Sequence, residues 1–148
     1  MAQGSFFSIF GQNLGPTTPA QQMSFPLQTA FSGVSVSVSQ GGTTVAAIPV
    51  YVSSTQINAI MPSNAPLGLD VLQVIRNNSK SNNSPVRVVS AAVGIVAVSG
   101  FGNGPGVIQN FVTQANQPVN SNATPATPGQ VETMWATGLG PISGSAGS

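Results

Sequence analysis

The sequence predicts an all-β protein, a sandwich of short antiparallel strands followed by a partial second β module. Three observations carry this reading. Apolar residues alternate with polar ones over short runs, and turn residues interrupt those runs about every ten positions. No run of about a dozen residues shows a helical stripe of apolar side chains. The pattern at 4–16 (GSFFSIFGQNLGP) returns at 129–141 (GQVETMWATGLGP), the mark of tandem modules of one kind.

Each copy of the pattern opens on Gly, runs through a β-prone stretch and closes on a Leu-Gly-Pro turn. The stretch holds Phe6, Phe7, Ile9 and Phe10 in the first copy and Val131, Met134 and Trp135 in the second, so both predict a strand entering a tight turn. The cleanest strand lies at 33–40, where Val34, Val36 and Val38 alternate with Ser35, Ser37 and Ser39, as in a half-buried antiparallel strand. Gly41 and Gly42 signal a turn. The next strand, 43–52, places Ile48, Val50 and Val52 on one face, and Pro49 on the other predicts an edge or a bulge. At 55–61, Ile57, Ala59 and Met61 alternate with Gln56, Asn58 and Ile60, and 62–68 (PSNAPLG) is a loop. The run 69–76 is apolar on both faces, as in a central strand, and 77–84 (NNSKSNNS) is a solvated hairpin loop before a return strand at 85–89. Beyond it, 91–98 continues the β-prone pattern and 100–106 (GFGNGPG) is a turn. A further strand at 107–112 precedes a long polar segment at 113–128. The expected organisation is one sandwich over 1–90, a partial second module over 91–142 and a Gly/Ser tail over 143–148.

Charge is nearly absent. Among 148 residues, three are basic (Arg76, Lys80, Arg87) and two acidic (Asp70, Glu132), 3% against roughly 25% in ordinary globular domains. Hydrophobic residues still make up 41%, enough to bury a core, so wholesale disorder is not expected. A net charge of +1 with no basic cluster lacks the electrostatic footprint of a nucleic-acid binder and disfavours anionic membrane surfaces. No apolar run reaches the length of a transmembrane helix, so no membrane insertion is expected. The Ser/Thr/Asn/Gly-rich, charge-poor character fits an extracellular or cell-surface bacterial protein. The start, MAQGSFFSIF, has no basic residue ahead of its apolar stretch, so a targeting segment is expected to lie outside this chain.

The strings SIFGQNLGP at 8–16, VYVSSTQINAIMP at 50–62, GVIQNF at 106–111 and WATGLGP at 135–141 together resemble the Solibacter-type C-terminal domain, a family found at the ends of large secreted proteins of soil bacteria. The resemblance spans nearly the whole chain. It implies tandem immunoglobulin-like modules of the IPT/TIG kind, extracellular and non-enzymatic. Two departures stand out. The family pattern runs on for a further module's worth of strands after the WATGLGP string, and Glu132 stands at a position that the family fills with an apolar residue. A carboxylate facing a core there would cost several kcal/mol unless paired.

The chemistry-bearing residues are few. There is no His and no Cys, which removes the commonest general base, the thiol nucleophile and the usual transition-metal ligands. Asp70 and Glu132 belong to different modules, so neither a glycosidase-type carboxylate pair nor a calcium loop is expected. Lys80 sits in a polar loop. No catalytic, cofactor-binding or metal-binding residue is assigned, and no enzyme activity is expected. The glycine tract at 100–106 fails the dinucleotide spacing and precedes a strand, so it reads as a turn. Phe101, Tyr51 and Trp135 could offer aromatic faces to sugar rings, but Trp135 and Phe10, at matching repeat positions, read first as core residues. Asn77, Asn82 and Asn122 stand in Asn-x-Ser/Thr sequons, which these Asn-rich loops produce by composition alone. The expected role is a structural or adhesive unit that self-associates or abuts modules of its own kind, with strand exchange between subunits of a surface filament as one route. The alternative is a carbohydrate-binding module with a polysaccharide partner.

Overall fold

The computed structural model describes residues 1–100 and 102–141; Phe101 and the Gly/Ser tail at 143–148 lie outside the described residues. It is all-β, with no helix among the described residues. The described residues divide into two units, one formed by Met1–Ala92 with 138–141, the other by Val93–Thr137.

The first unit is a curled antiparallel sheet of β1 (Phe6–Phe10), β2 (Ala20–Gln21), β3 (Ala30–Phe31), β4 (Val34–Gln40), β5 (Thr43–Val52), β6 (Gln56–Ile60), β7 (Gly68–Arg76), β8 (Ser79–Lys80) and β9 (Ser84–Val88). The strand order is β1-β6-β5-β4-β7-β8, with β2 added to β5, β3 to β4 and β9 to β7. Two-residue turns set the hairpins. Gln40 pairs with Thr43, leaving Gly41 and Gly42 at φ 54° and 89°, the double left-handed conformation whose twist matches that of the flanking strands. Arg76 likewise pairs with Ser79 around Asn77 and Asn78 at φ 46° and 68°; asparagine tolerates this region better than other side-chain-bearing residues. The polar tract at 77–84 is therefore a tight turn and a two-residue strand before β9.

β5 serves both halves of the sheet. Its first half, through Ala47, pairs with β4, and its second half, from Ile48, pairs with β6 on the opposite edge. A register shift between Pro49 and Tyr51 marks the bulge predicted from Pro49. The shift also alters the expected faces: Pro49 is buried with Ile48 and Val52, whereas Val50 is half-buried. The ends of the curl meet at a parallel bridge between Ala2 and Val89, where Gln3 N donates to Val89 O at 3.0 Å and Val89 N to Met1 O at 2.9 Å. A curled sheet of this kind fits the sandwich that the sequence predicts.

The core follows the period of two. Val34, Val36 and Val38 are buried, as are Ile57 and Ala59 from β6, Met61 just after it, and Leu72 and Val74 from β7. Each fully buried Val or Ile contributes about 2 kcal/mol of hydrophobic stabilisation. β7 differs from the expected strand with two apolar faces. Its inward row is Asp70, Leu72 and Val74, while Leu69 is 70% exposed. The strand is nonetheless internal, flanked by β4 on one side and by β8 and β9 on the other.

The two faces of β4 give a direct test. Val36 is fully buried, whereas Ser37 is half-buried, its Oγ 3.5 Å from Gln73 O. Val36→Asp is expected to cost on the order of 4 kcal/mol, most of the stability of a small domain, and Ser37→Asp about 1 kcal/mol or less. Urea unfolding of both variants checks this; equal midpoints would contradict the inward assignment of the valine row.

Candidate functional site

The second unit contains two short antiparallel pairs, β10 (Gly94–Ile95) with β13 (Ala136–Thr137) and β11 (Ile108–Asn110) with β12 (Glu132–Met134). The pairs are joined by main-chain bonds at one point. Val107 N donates to Val96 O, Val96 N to Trp135 O and Trp135 N to Val107 O. Among its described residues, Asn110 is the one buried side chain, and no apolar side chain is buried. The Asn110 Nδ2 donates to Thr124 O at 2.8 Å, while its Oδ1 has no hydrogen-bond partner.

Register sorts the exposed residues by face. Gln109 lies opposite Thr133, so Trp135, Val131 and Phe111, each two residues from that pair, fall on the same face. Trp135 is 54% exposed and Val131 65% exposed, with Phe111 also exposed beside them. The Trp135 indole N–H donates to Gln109 Oε1 at 2.6 Å, and Gln109 Nε2 donates to Gln117 O at 3.0 Å, which fixes the ring's orientation from below. The result is a small apolar face with one oriented aromatic ring.

Several sequence expectations change. Neither Trp135 nor Phe10 is a core residue; Phe10 is 74% exposed because Phe7, on the alternate face of β1, takes the inward position. Tyr51 is half-buried in the first unit, Trp135 belongs to the second, and Phe101 is outside the described residues. Glu132 does not face a core. It is exposed, and its Oε1 accepts a hydrogen bond from Asn120 Nδ2. Asn77, Asn82 and Asn122 are all exposed in turns or loops, and Lys80 is exposed in β8.

The two copies of the repeated pattern share left-handed residues at two matching positions and differ in burial. Gly4 and Gly129 have φ of 69° and 86°, and the equivalent Asn13 and Gly138 have φ of 55° and 81°. In the first copy Phe7 and Leu14 are buried; their counterparts Glu132 and Leu139 are exposed. The same local chemistry thus packs against a core once and is left open once.

Asp70 is the feature that sequence reasoning missed, although its spacing from Leu72 and Val74 placed it on the inward row. It is 2% exposed, and neither carboxylate oxygen has a hydrogen-bond partner. Burial raises its pKa above the ordinary aspartate value. No group of three or more metal-binding side chains occurs among the described residues, and no helix there is long and apolar enough to cross a membrane. Comparison with family models, with curated proteins and with solved structures finds no match to this chain.

A raised folded-state pKa means that the native protein holds a proton which the unfolded chain releases. Stability from this group is full below about pH 4 and falls as pH rises through the native pKa. Asp70→Asn removes the titration while keeping the shape. Its urea midpoint is expected to exceed that of the parent at neutral pH and to converge on it in acid. A parent-like pH slope in the variant would show that Asp70 is not the group responsible.

Proposed function

We propose that the chain is a non-enzymatic structural or adhesive module of an extracellular bacterial assembly. In this reading the first unit is an immunoglobulin-like sandwich of the IPT/TIG kind, consistent with the Solibacter-type resemblance, and the second presents a face to a neighbouring module or a further copy. The observation that carries the proposal is the exposed face of Phe111, Val131 and Trp135. Apolar residues on a unit with no buried apolar side chain among its described residues gain stability from a partner that covers them. β12 also has β11 as its one pairing partner among the described strands, so its other edge can take a strand from a neighbouring subunit. A net charge of +1 offers little electrostatic resistance to self-association.

One observation favours a second reading. An exposed ring whose N–H is held by Gln109 is oriented before any ligand arrives, which suits stacking on a sugar of a polysaccharide.

Sedimentation velocity across the micromolar range tests the first reading. Phe111→Ser/Val131→Ser in the full chain is expected to weaken association by at least about tenfold, roughly 1.4 kcal/mol. Trp135 is the single tryptophan and remains as a fluorescence reporter of local folding. A monomeric parent chain, or a variant that associates as the parent does, contradicts the assembly reading. A saturable change in Trp135 emission on titration with cellulose, chitin or xylan oligosaccharides, together with a monomeric chain, supports the carbohydrate reading instead.

A further inference from the structure

The sheet of the first unit does not close along its whole length. β1 stands at one end of the strand order and β8 and β9 at the other, and the two ends are joined where Met1–Gln3 meets Arg87–Val89. Beyond that junction lies a groove. Three adjoining recesses of 260, 310 and 390 Å³ run along it. The first two share Ile9, Leu72 and Ser84, and the last two share Leu14, Val74 and Ser81, so each adjoins the next along the groove. Core residues Leu72, Val74 and Leu14 line it.

The wall formed by β1 presents main-chain groups. Gly11 N donates to Thr55 O and Met61 N donates to Ser5 O, both toward β6. Alternation of the antiparallel ladder then turns the N–H and C=O of Phe7 and Ile9 toward β6 and those of Ser8 and Phe10 away from it, onto the free edge. The opposing wall is asymmetric. On β9, Arg87 O and Val89 N are taken by Met1, and the next residue on that edge, Pro85, has no N–H to donate. An extended segment entering the groove therefore forms its ladder with β1. The stretch from Phe7 to Phe10 that lines the groove is roughly 13 Å long.

The far end is basic. Arg76 and Lys80, two of the chain's three cations, line the recess at Leu14 and Val74. Arg76 Nη1 donates to Asn13 O at 3.1 Å, a neutral acceptor. The chain has two carboxylate side chains to offer: Asp70 is buried without a partner, and Glu132 accepts from Asn120. Arg76 and Lys80 have no carboxylate partner among the described residues of the first unit, so this end is complementary to an acidic group.

We propose that this groove is a docking site for an extended segment of a partner protein, added as a strand to β1 at Ser8 and Phe10, with alternate apolar residues over Leu72 and Val74 and a carboxylate at the Arg76–Lys80 end. The site is in the first unit and is independent of the face around Trp135.

The test pans the full chain against a display library of short peptides and measures the affinity of the enriched sequences. Enriched peptides are expected to alternate apolar and polar residues and to carry Asp or Glu at one end. Ser84 and Lys80 are both exposed, so substitutions there leave the core in place. Ser84→Trp, which fills the groove between Ile9 and Leu72, is expected to abolish binding, and Lys80→Glu to weaken it by at least about tenfold. The proposal is overturned if no sequence is enriched, if enriched peptides lack an acidic end, or if both variants bind as the parent does. It is also overturned if the parent chain self-associates at micromolar concentration and Ser84→Trp disperses it, since a second copy would then occupy the groove.

Discussion

Burial of alternating apolar rows is the interaction on which the first unit depends. With 3% charged residues there is almost no ion pairing to draw on, and polar side chains mostly tie loops and edges to the main chain. Ser53 Oγ, for instance, accepts from Gln56 N while donating to Gln56 O, holding the turn into β6. The valine row of β4 therefore has to be supported from both sides of the strand. It is, by Ala47 of β5 and by Leu72 and Val74 of β7, each directly or diagonally across a ladder. The same dependence explains why the buried carboxyl of Asp70 matters: in a core held by apolar contact, one unpartnered charge is a large perturbation.

The repeated pattern shows how far local sequence determines conformation and where it stops. Left-handed residues stand at two matching positions, Gly4 with Gly129 and Asn13 with Gly138. Burial is not a local property. Phe7 and Leu14 are covered because they belong to the core cluster with Val34, Leu72, Val74 and Val88, whereas Glu132 lies in the second unit, which has no buried apolar residue among those described, and Leu139 is exposed after the chain has re-entered the first unit. One pattern therefore gives a core strand in one setting and an exposed face in the other.

Much of the first unit was legible because it rests on period-two alternation and turn residues. The row of Val34, Val36 and Val38, the Gly41–Gly42 turn and the bulge at Pro49 all followed from spacing. The failures have one physical origin. Trp135 and Phe10 were expected in the core because large aromatic rings usually bury area, but their strand positions point them outward. Leu69 is exposed and Asp70 buried for the same reason: the pleat decides the face, and hydrophobicity does not overrule it. The groove beside β1 was beyond sequence reasoning, since it depends on which two strands end the sheet order and on how far their edges stay paired.

The parallel bridge between Ala2 and Val89 gives the first unit a mechanical character. Parallel neighbours that carry tension at opposite ends are loaded in shear, so the bonds from the Met1 amino group to Arg87 O, from Val89 N to Met1 O and from Gln3 N to Val89 O bear the force together. A β-hairpin pulled at its two open ends parts one bond at a time. Tension transmitted through the start of the chain and through the segment leaving Val89 would instead meet a short clamp whose bonds yield together.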